Sequence, residues 1–262
     1  MQEPTMPHHH DPLFAIAGQN ILVAGGAGGL GWPIAQELAQ RGANVAIADL
    51  NEAKAASCAE ALRRLGAQAL ATGLNVTSRA SCAAACQHVV AAWGRLDGLV
   101  NASGIYRVGA ALDLADQDWQ NSIDINLTGS FQLARAAGAL MVPQKSGSII
   151  TITSVSSHVA NQNYAAYAAS KAGAAHLTRV LALEWAAAGV RVNAIGPAVT
   201  PTPLAAPIID NPTTRDAAFA KIPMQRFGTP DDLLASVVFL LADGAKFLTG
   251  QIIYVDGGRT IS

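Results

Sequence analysis

Tyr167 and Lys171 lie four residues apart in Tyr167-Ala168-Ala169-Ser170-Lys171. The apolar spacing around them predicts a long helix over 164–188, which puts the phenol and the amine on one helical face. Ser154 stands thirteen residues before Tyr167, at the C-terminal end of 148–153, a run rich in β-branched residues that reads as a strand. Open α/β sheets hold their ligands at that end. A phenol beside an ammonium group can exchange a proton with a reacting oxygen, and a serine hydroxyl can hydrogen-bond the same oxygen. Each residue also has a plain structural role open to it: a buried aromatic for Tyr167, a strand-end cap for Ser154.

A second constellation supplies the group such a proton donor would serve. Ala24-Gly25-Gly26-Ala27-Gly28-Gly29-Leu30-Gly31 joins an apolar run, 20–24, to a helical pattern over 30–41. Glycines at a strand–helix junction let the backbone turn sharply and approach a pyrophosphate, which the helix N-terminus then holds. Asp49 follows 18 residues beyond Gly31 and closes a second apolar run, 44–48. A carboxylate there can accept hydrogen bonds from both hydroxyls of an adenosine ribose; capping the following helix is a compatible role. Against a 2′-phosphate the same carboxylate is repulsive. Gly26, Ala27, Gly28, Leu50 and Asn51 offer no cation, and Arg41 and Lys54 are expected on outward helix positions. The pattern therefore points to NAD rather than NADP. An oxidised nicotinamide ring together with Lys171 is expected to lower the Tyr167 pKa.

Both constellations need a frame. Helical spacing recurs over 51–65, 78–93 with Thr77 as N-cap, 117–141, and 230–242 with Thr229 as cap and Pro230 at the first position. Strand-like runs recur over 68–72, 98–101, 190–195 and 252–255. Strands alternating with long helices mean parallel βαβ units, and continuous apolar strands mean a sheet covered on both faces. The expected fold is α/β: a Rossmann-type, doubly wound parallel sheet of about seven strands with helices on both faces. One catalytic domain is expected over 13–262, with a substrate lid around 198–227, after a flexible tail over 1–12.

Composition agrees. Of 262 residues, 51% are hydrophobic and 13% charged, the balance of a packed chain rather than a disordered one. Lys plus Arg is 17 and Asp plus Glu 18, a net charge of −1, which gives neither the basic excess of a nucleic-acid binder nor a polybasic membrane patch. No apolar run reaches the 18 or so residues of a membrane helix, and the N-terminus lacks a signal-peptide pattern. Cys58, Cys82 and Cys86 are too few for a disulfide framework. These features predict a cytoplasmic protein with no metal site; His8, His9 and His10 read as a loose surface tract.

Further motifs fall in a recognisable order. Asn101-Ala102-Ser103-Gly104 follows the fourth strand, Ile125-Asn126-Leu127-Thr128-Gly129 sits in the long helix, and Pro197 follows the sixth strand. Arg226-Phe227-Gly228-Thr229-Pro230-Asp231 and Thr249-Gly250, with Val255-Asp256-Gly257-Gly258, come near the end. With the glycine loop, Ser154 and the Tyr167–Lys171 pair, these resemble the short-chain dehydrogenase/reductase family over essentially the whole of 13–262. The chain departs from the family pattern at Ala24, where Thr is usual, Asn75 for Asp, Ser103 for Ala, and Ala198 for Gly.

The resemblance implies a catalytic tetrad. Tyr167 would be the acid–base, and Ser154 would bind the substrate oxygen. Lys171 would hold the nicotinamide ribose, and Asn126 would hold a water that links Lys171 to solvent. It also implies cofactor contacts from Gly25, Gly28, Gly29, Leu30, Gly31, Asp49, Leu50, Asn75, Val76, Asn101, Ala102, Gly104, Tyr167, Lys171, Pro197, Thr200 and Thr202. The pattern looks most like NAD-dependent members acting on sugar acids and polyols, which implies a small polar substrate. Reduction of 3-oxoacyl groups on a carrier protein is the alternative, and a non-catalytic dinucleotide sensor is a second one. Walls for the substrate are expected from Tyr106 to Val108, from Val155 to Tyr164 and from Thr200 to Phe227, with Arg107, His158 and Arg226 as candidate cations for a carboxylate. A D2 homotetramer is implied, packed through small residues such as Ala134, Ala137, Gly138, Ala166, Ala169, Gly173 and Ala174 on the two long helices.

Overall fold

Five consecutive buried residues make the first strand, β1 (Asn20–Ala24), of the computed structural model, which describes residues 11–262. A strand with no exposed face must lie inside a sheet covered on both sides. Six more strands follow, β2 (Asn44–Asp49), β3 (Ala69–Gly73), β4 (Gly98–Asn101), β5 (Gly147–Ile152), β6 (Val190–Pro197) and β7 (Ile252–Val255), of which β3 and β7 are only half-buried because they lie at the sheet edges. They form one all-parallel sheet in the order β3-β2-β1-β4-β5-β6-β7. The order reverses between β1 and β4, and the carboxyl ends of these two strands open the crevice where a doubly wound sheet takes its ligand.

Nine helices are described: α1 (Gly31–Gln40), α2 (Glu52–Arg64), α3 (Arg79–Trp93), α4 (Asp116–Ser122), α5 (Gly129–Gln144), α6 (Ala165–Trp185), α7 (Ala206–Ile209), α8 (Pro212–Phe219) and α9 (Asp231–Leu241). Alternate strand residues face opposite sides. Ile21, Val23, Val45 and Ile47 pack with Ile34 and Leu38 of α1, Leu62 of α2 and Val237 of α9. Leu22, Ala46, Leu99 and Ile149 pack with Val89 of α3, Leu133 and Met141 of α5 and Leu181 of α6. Among the described residues no helix is long and apolar enough to cross a membrane. Cys82 and Cys86 are buried, and burial pushes their thiols up to about 11 and about 12.

Several local expectations are corrected. Ser78, not Thr77, caps α3 by accepting from the Ser81 N–H at 3.3 Å. Thr229 does not cap α9; the arrangement is reversed, because its N–H and hydroxyl both donate to the Asp232 carboxylate. The helix expected over 117–141 is three segments: α4, a π-helical turn over Ile123–Thr128, and α5. α6 ends at Trp185 and continues as a 3-10 turn over Ala186–Ala188. The small residues expected on an outer helix face mostly face inward. Ala134, Ala137, Gly138, Ala166 and Ala174 are buried within the protomer, Gly138 against Trp185. The described chain begins with Asp11 capping a 3-10 turn over Pro12–Phe14, so Asp11 and Pro12 belong to a formed turn; the His8–His10 tract lies outside the described residues.

Candidate active site

The glycine loop crosses the carboxyl end of β1. Gly25 has φ +68°, and a Cβ there would stand 3.0 Å from the Ala102 backbone at the end of β4. A Cβ at Gly31 would collide with the Gly25 carbonyl, so the first turn of α1 closes directly on the loop. This cradle of bare backbone and a helix N-terminus fits a pyrophosphate. Asp49, at the end of β2, accepts from the Ala27 N–H at 3.2 Å and from the Asn51 N–H at 3.0 Å, which ties the carboxylate to the loop it faces. Asn51, not Asp49, caps α2.

From this loop a cleft of about 1100 Å³ runs across the carboxyl ends of the strands. Gly25, Gly28, Gly29, Leu30, Asp49, Leu50, Asn75 and Val76 line one half; Ala102, Gly104, Ser154, Tyr167, Lys171, Pro197, Thr200 and Thr202 line the other. Gly31, Asn101 and Asn126 stand behind the wall. Lys54, expected to point outward, lines the cleft instead. Its Nζ lies 3.1 Å from where a Cβ at Gly28 would stand, because the first turn of α2 leans over the glycine loop.

The second half holds the candidate proton-transfer groups. Ser154, just beyond β5, accepts from the Ser156 N–H at 3.1 Å. Tyr167 and Lys171 are buried on one face of α6. Lys171 Nζ donates to the Ile152 carbonyl at 2.9 Å and lies 5.9 Å from the centre of the Tyr167 ring. Burial pushes the Tyr167 phenol up to about 12; the Ser154 hydroxyl pulls it back, and Tyr164 adds to the rise. Burial pushes the Lys171 ammonium down to about 8. In the chain by itself desolvation dominates the Tyr167 phenol; the lowering expected beside an oxidised nicotinamide ring concerns the cofactor-bound state. The ammonium is spent on a strand carbonyl, and both groups pay for losing water.

Asn126 sits in the π-helical turn, a distortion that recurs at functional sites. Its amide is committed to protein: Oδ1 accepts from the Ile105 N–H at 2.9 Å, while Nδ2 donates to the Ile105 carbonyl and to Ser170 Oγ, each at 3.0 Å. Ser170 Oγ donates to the Tyr167 carbonyl at 2.8 Å, and Ser130 Oγ donates to the Asn126 carbonyl at 2.7 Å. Asn101 Nδ2 donates to Ser130 Oγ at 3.1 Å. A continuous buried network thus joins the end of β4 to the helix that carries Tyr167. Ser130 and Ser170 escape sequence reasoning because serines inside helices carry no distinguishing spacing.

The outer walls combine aromatic, polar and aliphatic side chains. Tyr106 OH donates to Tyr164 OH at 2.6 Å, and both rings stand edge-on to Tyr167, with centroids 5.0 and 6.1 Å away. Asn161, Gln162 and Asn163 line the same end, as do Leu204 and Ile208 from the segment expected as a lid, which carries α7 and α8. Thr200 is buried there, its hydroxyl donating to the Ala198 carbonyl at 3.2 Å. The three cations expected for a carboxylate lie elsewhere. Arg226 is engaged by Asp232 at 2.6 and 2.7 Å, Arg107 pairs with Asp118 at 3.4 Å, and His158 packs on Tyr254 outside the cleft wall. Lys221 and Arg259 line the cleft instead. Arg259 follows the Gly257-Gly258 turn, both glycines at positive φ, and only the turned chain brings it back to the site.

Comparison with known proteins agrees with this geometry. A family model described as enoyl-(acyl carrier protein) reductase matches residues 24–260. D-threitol dehydrogenase of Mycolicibacterium smegmatis is 39% identical over 248 residues, covering 95% of this chain and 95% of that protein. A 3-oxoacyl-(acyl-carrier-protein) reductase of Thermotoga maritima is 33% identical over 246 residues, covering 94% of this chain and 99% of its own. A gluconate 5-dehydrogenase from Burkholderia cenocepacia, solved in complex with NADP and tartrate, superposes with a TM-score of 0.93 at 33% identity, covering 96% of this chain and 98% of that one.

Proposed function

The chain belongs to the short-chain dehydrogenase/reductase family of oxidoreductases, and from that premise we propose that it is an NAD-dependent dehydrogenase of a secondary alcohol on a small polar substrate, a polyol or a sugar acid. The observation that carries the reading is the meeting of Ser154, Tyr167 and Lys171 at one end of the cleft whose other end is closed by the Asp49 carboxylate. The aromatic and amide walls suit a polyhydroxylated substrate, which offers C–H faces to rings and hydroxyls to amides. The polar run at Asn161, Gln162 and Asn163 favours such a substrate over a long acyl chain, although Leu204, Ile208 and Ile222 add an apolar side to the same end.

NAD, when bound, supplies the hydride acceptor and a positively charged ring. Gly25, Gly28 and Gly29 would hold its pyrophosphate, Asp49 the adenosine ribose hydroxyls, and Lys171 the second ribose. As the phenolate, favoured by the positively charged ring and by the Lys171 ammonium, Tyr167 would take the proton of the substrate hydroxyl in oxidation, and as the phenol it would return it in reduction. Ser154 donates a hydrogen bond to the same oxygen and holds it against Tyr167 as charge develops. Asn126 acts as a positioning residue: by clamping both backbone groups of Ile105 it fixes the strand-end turn beside Lys171.

A substrate screen followed at the NADH absorbance tests the reading, with polyols, sugar acids and simple secondary alcohols as donors. Turnover confined to 3-oxoacyl substrates, or absent with all of them, would overturn it. The reading extends to a cytoplasmic homotetramer. Unpaired cysteines support the compartment, and outward apolar residues support the assembly: Val180 and Leu183 on α6 are 41% and 83% exposed, and Phe247 is fully exposed. Light scattering that finds a monomer at micromolar concentration would remove the assembly from the proposal.

A further inference from the structure

Arg259 is half-buried and lines the cleft, and among the described residues it forms no ion pair. A guanidinium without an ion pair on a cleft wall is a ready partner for an anionic group that enters the cleft. The acid nearest in sequence is not available, because both Asp256 carboxylate oxygens accept from backbone N–H groups of the same turn, Gly258 at 3.0 Å and Thr260 at 2.7 Å. The one side-chain hydrogen bond Arg259 makes is to a neutral group, from Nη2 to Asn161 Oδ1 at 3.3 Å. Asn161 Nδ2 in turn donates to Ser156 Oγ at 3.5 Å, and the Ser156 N–H donates to Ser154 Oγ at 3.1 Å. A chain of hydrogen bonds therefore runs from the guanidinium to the serine assigned to the reacting oxygen. All four residues line the same cleft. Lys221, also without an ion pair among the described residues, lines it too.

Resting on the reading of this cleft as a dehydrogenase site, we propose that Arg259, assisted by Lys221, is the anchor for a substrate carboxylate, so that the substrate class is a hydroxy acid rather than a neutral polyol. A guanidinium binds a carboxylate through two parallel N–H donors, which fixes orientation as well as charge. Arg259 and Ser154 line the same cleft at the two ends of this relay, which matches a substrate that carries its carboxylate at one end and its reacting carbinol towards the other. The Tyr106 and Tyr164 rings and the Asn161 amide then face the carbons and hydroxyls between the two ends. Asn161 holds the guanidinium in place while leaving its remaining N–H donors free.

The test compares a six-carbon aldonate, D-gluconate, with the alditol of equal length, D-glucitol, in wild type, Arg259→Gln and Arg259→Lys. The first readout is kcat/KM for each compound. The second is their binding to NADH-loaded protein by calorimetry, which needs no turnover. The proposal expects wild type to favour gluconate. It also expects Arg259→Gln to cut the gluconate-to-glucitol ratio by roughly ten- to a hundredfold, through KM, and Arg259→Lys to restore part of it. An unchanged ratio in Arg259→Gln, or a wild-type preference for glucitol, overturns the carboxylate anchor and leaves the dehydrogenase reading standing. Gluconate binding that Arg259→Gln abolishes, in a protein that turns over neither compound, supports the anchor and counts against the dehydrogenase reading. Gluconate binding that ignores the substitution overturns the anchor whatever the turnover.

Discussion

Replacing Lys171 with methionine should stabilise the protein while destroying its activity, and the size of the effect should depend on pH. Lys171 is 6% exposed, and burial pushes its ammonium from 10.5 down to about 8. A shift of that size corresponds to about 3 kcal/mol of stability withheld while the group is charged. The hydrogen bond to the Ile152 carbonyl returns part of this, roughly 1.5–3 kcal/mol for a charged donor. The net gain for Lys171→Met at pH 7 is therefore between about 0 and 2 kcal/mol. The pH dependence is the sharper readout. Between pH 8 and 10.5 the folded chain binds fewer protons at this lysine than the unfolded chain does, so wild-type stability from this group rises with pH. Below pH 8 both states are protonated and the whole penalty is present. Moving from pH 7 to pH 9.5 should raise wild type by about 2 kcal/mol relative to Lys171→Met. Tyr167, pushed up to about 12, works in the opposite direction above pH 10, but it is present in both proteins and cancels. Urea unfolding of the two proteins at matched concentration and without added cofactor measures the difference. A stability gap that stays constant across the range refutes the argument, because it would mean that the ammonium keeps its water.

Tyr167→Phe removes the hydroxyl placed to exchange a proton with the substrate, and kcat should fall by roughly 10²–10⁴-fold while NADH binding, followed by fluorescence, is unchanged. A variant that keeps more than about a tenth of wild-type kcat would assign the proton to another group. At the other end of the cleft, Asp49 should repel a 2′-phosphate by about 4 kcal/mol per charge pair at some 4 Å, and Lys54 should offset part of that. Wild type is expected to favour NAD by at least about tenfold in kcat/KM. Asp49→Ala should narrow the ratio by weakening NAD, and Lys54→Ala should widen it. Equal use of both cofactors by wild type would mean that the Asp49 carboxylate serves only the Ala27 and Asn51 amides.

Much of this protein is legible in its residues alone because the relevant physics is local or periodic. Short apolar or β-branched runs such as Ile21–Val23 and Ile149–Ile152, each followed by a long helical pattern, read as strands buried on both faces of a parallel sheet. A glycine loop at the first strand–helix junction, and a tyrosine one helical turn from a lysine, place two halves of a site at the same edge of that sheet. What the residues could not disclose depends on where side chains end after the chain has closed. Lys54 looks like a solvated helix residue, yet the lean of α2 carries its ammonium to Gly28. Arg226, His158 and Arg107 look available to a substrate, yet each has a partner or a packing surface outside the cleft. Arg259, 92 residues beyond Tyr167 in the chain, reaches the cleft only because the Gly257-Gly258 turn folds it back. The direction of the Tyr167 shift was also decided by the fold. Spacing along a helix brings a phenol and an ammonium near each other, but it does not reveal that a carbonyl at the end of β5 will claim the ammonium, or that burial will raise the phenol. Desolvation and hydrogen-bond competition are sums over neighbours from every element, and only the assembled tertiary structure determines them.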